Sequence, residues 1–394
     1  MNVAFDLTVG CILFILPQKI FYRFSTHLIN YTTPIVYGMP MVLSGTSMFV
    51  DNVDIMLESK STNSLLLSSH SSRIDWMVAM FCGNLKQLGD QPSHRCRVGF
   101  VCEALIQLMP FVGWYRKLVC HDIFVWRSFD KDESTIKRNI LNFHEVSEQR
   151  MLFLSPEGVI VDYGEQDINY IHECREFAKN NGFKPLDYVL TPRYKGTSCL
   201  LQQVARGGPV VSICLAFVRN GRMLNCKLLS EDRVVPDIYD LNQGIAGAPV
   251  DIYIHLRRIN VDPASSFDAK AVLMNDYAWK DSVLAAWEAR LSNGDVDEKW
   301  IGKYTKIEGC KKDILLNHLA NAFLMLGTAI TFGSLSLLLK TFGWIFAVIS
   351  AFHTIGWYAN NTSMESVPLE TGIKATILFF QTLNIKFSSG RKRE

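Results

Sequence analysis

The sequence predicts an α/β domain built on a mixed β-sheet, between about Gly45 and Cys310. Short apolar runs of strand length recur along this stretch. The longest, Val210 to Val218, is continuous and follows Gly207-Gly208-Pro209, as is typical of a buried strand. Amphipathic segments of helical length separate these runs, and strands interleaved with helices are typical of the α/β class. The 394 residues could hold two or three ordinary domains, or one large domain with anchors.

Six more strands are predicted from apolar patterning. Thr46 to Leu57 alternates loosely, and Val250 to Arg258 alternates clearly enough to indicate a late strand at the sheet edge. The other four are short apolar runs: Leu65–Leu67, Arg97–Val101, Ile123–Trp126 and Met151–Leu154.

Four helices are predicted between these strands. Trp76 to Phe81 begins an apolar helix directly after Asp75, and Glu133 to Gln149 has the polar, amphipathic pattern of a surface helix. Glu103 to Leu118 has helical spacing with a bend expected at Pro110, and Tyr170 to Lys179 is expected to be a solvated helix.

Both ends of the chain predict membrane association. Ala320 to Leu339 is twenty residues without a charge, which is the length of a bilayer span, and a second uncharged run, Thr341 to Ala359, follows Lys340. We therefore expect a C-terminal transmembrane hairpin. Val3 to Leu16 is too short for a span and Leu28 to Val50 is broken by proline and glycine, so interfacial or re-entrant helices are favoured over two crossings.

These patterns divide the chain into three predicted regions. They are an N-terminal membrane-associated segment, a central α/β domain and a C-terminal membrane segment with two transmembrane helices, at residues 1–45, 46–310 and 311–394. The composition agrees, because 48% of the residues are hydrophobic and only 20% are charged. The net charge of +2 gives no reason to expect a nucleic-acid partner. The ten cysteines show no zinc-site spacing, so no metal site is expected and the thiols are predicted to be free.

One pair of residues suggests acid–base chemistry. His70 follows the Leu65–Leu67 run, and Asp75 begins the next helix. Five helical residues turn through about 500°, so the two side chains can meet only if His70 lies on the incoming turn and leans over the first helical turn. A carboxylate would then hold one imidazole nitrogen and leave the other as a base. The alternative is a loop histidine beside an aspartate that complements the helix dipole.

Three sequence blocks occur in a characteristic order: His70-x4-Asp75, then Ile123 to Arg127, then Ser155-Pro156-Glu157-Gly158. In this order they resemble the glycerophospholipid acyltransferase family, whose members acylate glycerol phosphate and lysophospholipids. Further features resemble its lysocardiolipin and lysophosphatidylinositol acyltransferase branch. They are Asp75-Trp76-Met77, Pro110-Phe111-Val112-Gly113-Trp114 and Tyr188-Val189-Leu190-Thr191-Pro192-Arg193.

The resemblance implies a role for each block. His70 would be the general base and Asp75 would orient it, without a serine nucleophile. Arg127 would hold the acceptor phosphate, and Glu157 and Gly158 would form a tight turn that helps to bind the acceptor, with Glu157 accepting from a hydroxyl or orienting Arg127. Arg193 would be a second phosphate or coenzyme A contact.

Ordinary structural roles remain open for these residues. Arg127 could be a strand-end arginine paired with Asp130 or Asp132. Glu157 could belong to a turn that faces water, and Arg193 could be a surface arginine.

The implied activity is transfer of an acyl group from acyl-CoA, as co-substrate, to a hydroxyl of a lysophospholipid or of lysophosphatidic acid. No separate cofactor is needed, and the expected site is the cytosolic face of the endoplasmic reticulum membrane. Ser69 stands where the family usually has asparagine, and Val159 and Ile160 replace its polar residues. These departures motivate an alternative, a catalytically silent lipid-binding membrane protein of the same fold. A channel is disfavoured because neither predicted span contains a charge.

Overall fold

The computed structural model describes residues 44–307, apart from positions 89, 109–112, 114–115, 118–119, 121, 146–149, 162–164, 205–207, 246, 262–266 and 297. The predicted C-terminal hairpin, and the N-terminal segment up to residue 43, lie outside these residues. Within the described part of the chain, no helix combines the length and apolarity that crossing a bilayer requires. The contacts divide the described residues into a smaller unit, Cys102–Trp126, and a larger unit made of 44–101 and 127–307.

The larger unit is built on a mixed β-sheet, as predicted. Its strands are β1 (Ser47–Val50), β2 (Ser64–Ser68), β3 (Gln87–Leu88), β4 (Gln91–Pro92), β5 (Arg97–Glu103, whose last two residues belong to the smaller unit), β7 (Arg150–Leu154), β8 (Val210–Arg219), β9 (Arg222–Met223), β10 (Asp251–Ile259) and β11 (Thr305–Lys306). In the order β11-β1-β10-β8-β2-β7-β5, the strands β8, β2, β7 and β5 run parallel to one another, and β10 is antiparallel to β8. At one end β1 lies parallel to β10 and antiparallel to β11, and the short β9 pairs with β8.

The sheet core lies around β2, all five of whose residues are buried. In register, Leu65 pairs with Leu152 on one side and with Val210 on the other, so an apolar run faces apolar neighbours on both flanks. Pairing of Leu67 with Leu154 brings the carboxyl ends of β2 and β7 to the same edge of the sheet. In open α/β sheets, this edge is where ligands bind.

Eight helices connect and cover the strands of the larger unit. They are α1 (Val53–Ser61), α2 (Asp75–Asn84), α3 (Phe129–Glu145), α4 (Glu165–Asn180), α5 (Tyr194–Val204), α6 (Ile238–Ile245), α7 (Ala269–Asn293) and α8 (Glu298–Ile301). The longest, α7, begins where the Asp268 side chain accepts from the amides of Lys270 and Ala271, and Gly294, with a φ of 70°, caps its C-terminus. It buries Tyr277, Leu284 and Trp287 in an aromatic and aliphatic cluster.

The smaller unit contains a 3₁₀ helix, Ala104–Leu108, and strand β6, Ile123–Val125. Arg116 and Asp122 form a buried ion pair within it. The 3₁₀ helix replaces the start of the longer helix predicted from Glu103, and the predicted bend at Pro110 lies outside the described residues.

Two strand predictions are wrong in part. The strand predicted over Thr46 to Leu57 ends at Val50, because the Asn52 side chain accepts from the amide of Ile55 and begins α1. The strand predicted at the edge, Val250 to Arg258, is β10 and lies inside the sheet between β1 and β8. Its alternation does not mark a solvated face, since the residues from Ile252 to Leu256 are all buried.

The helix predicted to be solvated, Tyr170 to Lys179, lies within α4 and is buried along one face. Its inward residues are Ile171, Cys174 and Ala178. Partly buried Val159 packs against the apolar cluster that includes Ile171 and Cys174.

Candidate active site

The loop between β2 and α2 carries His70, at the position predicted. Strand β2 ends at Ser68 and α2 begins at Asp75, so His70 precedes the first helical turn. Within the loop, the Ser72 hydroxyl accepts from the amide of Ile74 at 3.0 Å. The carboxylate of Asp75 accepts from the amide of Ser72 at 3.3 Å, and a helix N-terminus favours a negative charge at this point.

His70 and Asp75 form a hydrogen-bonded pair. Nδ1 of the imidazole lies 3.1 Å from Oδ2 of the carboxylate, whose side chain is 1% exposed. A carboxylate only accepts hydrogen bonds, so Nδ1 carries the proton of the neutral imidazole and Nε2 keeps its lone pair. The His70 side chain is 28% exposed, so this second nitrogen belongs to a ring that solvent reaches. The pair can therefore act as an oriented general base.

A second histidine–aspartate pair shows what a purely structural arrangement looks like. His255 Nδ1 lies 3.1 Å from Asp51 Oδ2, the same distance as in the first pair. Its Nε2 accepts from the indole of Trp287 at 2.6 Å, and the side chain is 8% exposed. Both ring nitrogens are engaged, so this histidine has no nitrogen available for a substrate.

The turn after β7 brings Glu157 to the His70 loop. Gly158 has a φ of 72°, and its amide donates to the Ser155 carbonyl at 3.1 Å, which closes the Ser155–Gly158 turn. Glu157 is only 2% exposed, so the alternative of a glutamate pointing into water is excluded. Its Oε2 accepts from the backbone amide of His70 at 3.1 Å, a bond that ties together the loops at the ends of adjacent parallel strands.

Burial raises the pKa of Glu157 from its usual 4.5 to about 7, although His70 and Lys280 act in the opposite direction. Among the described residues, Oε1 of Glu157 has no hydrogen-bond partner. A carboxyl group with one unsatisfied buried oxygen favours the protonated form, which agrees with the raised pKa.

Two arginines flank Gly158. Nη2 of Arg127 donates to the Gly158 carbonyl at 2.6 Å, and the backbone amide of Arg193 donates to the Pro156 carbonyl at 2.9 Å. The Arg193 guanidinium reaches the Tyr170 hydroxyl at 3.5 Å. Both arginines are exposed, and Arg127 has a φ of 63°, an uncommon backbone conformation for a residue other than glycine.

The structure thus links all six predicted site residues through direct contacts. His70 contacts Asp75 and Glu157, while Arg127 and Arg193 contact the turn that contains Gly158. This constellation supplies an oriented base, a buried carboxyl group and two exposed cations at the carboxyl edge of the sheet. Such a set can deprotonate a hydroxyl and bind a phosphate.

No protein-family model matches the chain. Over 310 residues the chain is 28% identical to an Arabidopsis thaliana protein named "Probable 1-acyl-sn-glycerol-3-phosphate acyltransferase 5", covering 77% of this chain and 72% of that protein. It is 26% identical to lysophosphatidylinositol acyltransferase 10 of Caenorhabditis elegans, covering 65% of this chain and 60% of the relative. It is 29% identical to lysocardiolipin acyltransferase 1 of Danio rerio, covering 40% of this chain and 38% of the relative.

The resemblance to the glycerophospholipid acyltransferases is confirmed. The second and third of these relatives belong by name to the branch that the sequence predicted, and the chain matches less than two thirds of the length of each. Among solved structures, the chain is similar to the 1-acyl-sn-glycerophosphate acyltransferase PlsC of Thermotoga maritima. That match has a TM-score of 0.37 and 11% identity, and it covers 75% of this chain and 95% of that one.

Two of the residues that depart from the acyltransferase pattern are buried or partly buried in the protein. Ser69 is fully buried beside His70, and Val159 packs against the apolar cluster that includes Ile171 and Cys174 of α4.

Among the described residues, no group of three histidine, cysteine or acidic side chains is arranged to hold a metal ion.

Sequence reasoning missed one residue that contacts this site, Tyr277 on α7. Its hydroxyl donates to the Ser68 carbonyl at 3.1 Å. Because 209 positions separate the two residues, no local pattern could have indicated the contact.

Proposed function

We propose that this protein is an acyl-CoA-dependent O-acyltransferase that acylates a glycerol hydroxyl of a lysophospholipid or of lysophosphatidic acid. The single observation that carries the proposal is the contrast between the two histidine–aspartate pairs, whose Nδ1–Oδ2 distances are both 3.1 Å. Both nitrogens of His255 are engaged, whereas His70 is held by a buried carboxylate at Nδ1 and is partly exposed. A partly exposed imidazole with one held nitrogen is the arrangement that a general base requires.

In the proposed reaction, Nε2 of His70 takes the proton of the acceptor hydroxyl while the oxygen attacks the thioester carbonyl carbon. The C–S bond then breaks, and the leaving thiolate takes the proton from the imidazolium. Proton and charge therefore balance within one cycle, and no acyl-enzyme is formed. Asp75 stabilises the imidazolium during attack, the role that a triad aspartate has without becoming protonated.

The acceptor phosphate is assigned to the two exposed guanidinium groups beside Gly158. Arginine presents a planar fork that donates two parallel hydrogen bonds to phosphate oxygens. The contact from Arg127 to the Gly158 carbonyl supports this assignment, because it places the guanidinium on the same turn as Glu157. Glu157 then orients the His70 loop through its bond to the backbone amide.

The relatives' names motivate phospholipid remodelling as the setting, with lysophosphatidylinositol or lysocardiolipin as candidate acceptors. We place the central domain, residues 46–310, at the cytosolic face of the endoplasmic reticulum membrane. The uncharged runs of the C-terminal region, 311–394, and the N-terminal segment, 1–45, would hold it there. The acyl chain would then stay in lipid while the coenzyme stays in water.

The function is tested by incubating the purified full-length chain with radiolabelled acyl-CoA and a total lipid extract. Label should appear in one phospholipid class, which identifies the acceptor. Lysophospholipid binding without any transfer of label would contradict the proposal and support the alternative, a catalytically silent lipid-binding protein.

A further inference from the structure

The Tyr277 hydroxyl lies where the two loops of the candidate active site begin. It donates to the Ser68 carbonyl at 3.1 Å, and Ser68 is the last residue of β2, two positions before His70. The buried hydroxyl therefore holds the main chain at the end of β2, where the His70 loop begins.

Two hydrogen bonds act on the His70 loop. The carboxylate of Glu157 accepts from the backbone amide of His70, and the Tyr277 hydroxyl donates to the carbonyl of Ser68, two positions earlier. Two hydrogen bonds restrict a loop more than one, because the loop must break both to shift.

Buried charges hold the tyrosine in place. Lys280 Nζ lies 4.2 Å from the centre of the Tyr277 ring and 2.8 Å from the carboxylate of Asp276, and all three side chains are fully buried on one face of α7. Arg257 donates to the other carboxylate oxygen of Asp276 at 2.8 Å. The ring is thus fixed by a cation and an ion-pair network.

The hydroxyl keeps its proton across the working pH range. Burial, followed by the charges of Glu157 and Asp276, raises the pKa of Tyr277 well above its usual 10. The donor to Ser68 therefore persists whenever the protein is folded.

We infer that Tyr277 is a positioning residue for the proposed acyl transfer, which holds the start of the His70 loop in place through its hydroxyl. The inference rests on the proposed function. Removal of the hydroxyl should let the His70 loop shift relative to the turn. A displacement of about 1 Å at a catalytic group can lower a rate by about 100-fold.

The test compares Tyr277→Phe with Tyr188→Phe in the full-length protein. Tyr188 is a matched control, since it is buried in the same cluster as Tyr277 and its hydroxyl donates to Glu288 of α7 at 2.5 Å rather than to either loop. Four quantities are measured for each variant: the melting temperature, kcat and KM for acyl transfer, and deuterium exchange in the peptide covering Leu65 to Trp76.

In Tyr277→Phe we expect kcat to fall at least about tenfold with KM within about twofold of wild type, and exchange in the His70 peptide to accelerate. Tyr188→Phe should lower the melting temperature to a similar extent and keep both kcat and the exchange rate. A Tyr277→Phe variant with wild-type kcat and exchange would overturn the inference, and so would equal losses of kcat in both variants or failure of Tyr277→Phe alone to fold.

The proposed function fails separately, if the wild-type protein transfers no acyl group. In that case, deuterium exchange in the His70 peptide of the two variants still tests the role of Tyr277, because exchange reports loop mobility in the absence of substrate.

Discussion

The backbone amide of His70 donates to Oε2 of Glu157 at 3.1 Å, across the ends of two adjacent parallel strands. The residues are 87 positions apart, yet the pairing of Leu67 with Leu154 brings their loops to the same edge of the sheet. The contact gives the buried glutamate a role in the proposed reaction that needs no contact with the acceptor: it fixes the backbone from which His70 extends.

The buried carboxyl of Glu157 should make stability depend on pH. Its pKa is about 7 in the folded protein against a usual 4.5, so the folded state holds a proton that the unfolded chain releases between these values. Because the folded state binds more protons, the free energy of unfolding contributed by this group falls as pH rises through the window, by on the order of 3 kcal/mol.

Glu157→Gln should remove this dependence. Chemical unfolding of wild type and variant is measured at pH 5 and pH 8, and the wild type should lose stability relative to the variant at the higher pH. Parallel pH curves for the two proteins would contradict a raised pKa at Glu157.

Asp75→Asn should abolish most of the activity while the protein remains folded. An asparagine amide can donate to Nδ1 of His70, which favours the tautomer whose Nε2 carries the proton and cannot accept one. In a triad of the same logic the corresponding change lowers kcat by about 10⁴-fold, and we expect about 10³–10⁴-fold here. The measurement is kcat for acyl transfer, together with the melting temperature.

Asp51→Asn is the matched control for that variant. It alters the other histidine–aspartate pair, in which His255 is buried and also bonded to Trp287. We expect a stability loss of about 1–3 kcal/mol and an unchanged kcat. Retention of activity in Asp75→Asn, or loss of kcat in Asp51→Asn, would reverse the assignment of the two pairs.

Arg127→Lys should weaken acceptor binding. A lysine carries the charge but cannot donate in parallel to a phosphate while also bonding the Gly158 carbonyl. We expect KM for the lysophospholipid to rise about tenfold or more, with KM for acyl-CoA unchanged. Arg222→Lys, at an exposed arginine on β9, is the control. Equal effects of Arg127→Lys on both KM values would argue against a contact with the acceptor phosphate.

The parts of the site that sequence could predict are those encoded over short distances. His70 and Asp75 are five positions apart, and the strand before them and the helix after them both follow from apolar patterning. The Ser155–Gly158 turn is similarly local, since proline and glycine determine its geometry.

The parts that could not be predicted depend on pairing between distant segments. Apolar and polar residues alternate from Val250 to Arg258 as in an edge strand. In the structure this segment is β10, which pairs with β1 on one side and β8 on the other, and α7 covers its Tyr253 and His255. Likewise, the sequence around Glu157 gives no sign that it is buried against the His70 amide, and nothing near Tyr277 indicates Ser68. Burial of a polar group is a tertiary property and leaves no periodic trace in the chain.

In the proposed reaction, His70 removes the proton of a lipid hydroxyl. The most direct test measures transfer of labelled acyl groups from acyl-CoA to lysophospholipid by His70→Ala, with His172→Ala, at an exposed histidine of α4, as control. We predict that His70→Ala retains its fold and loses at least about 10³-fold in kcat, whereas His172→Ala matches wild type. Turnover by a folded His70→Ala protein at the wild-type rate would contradict the assignment of His70 as the general base.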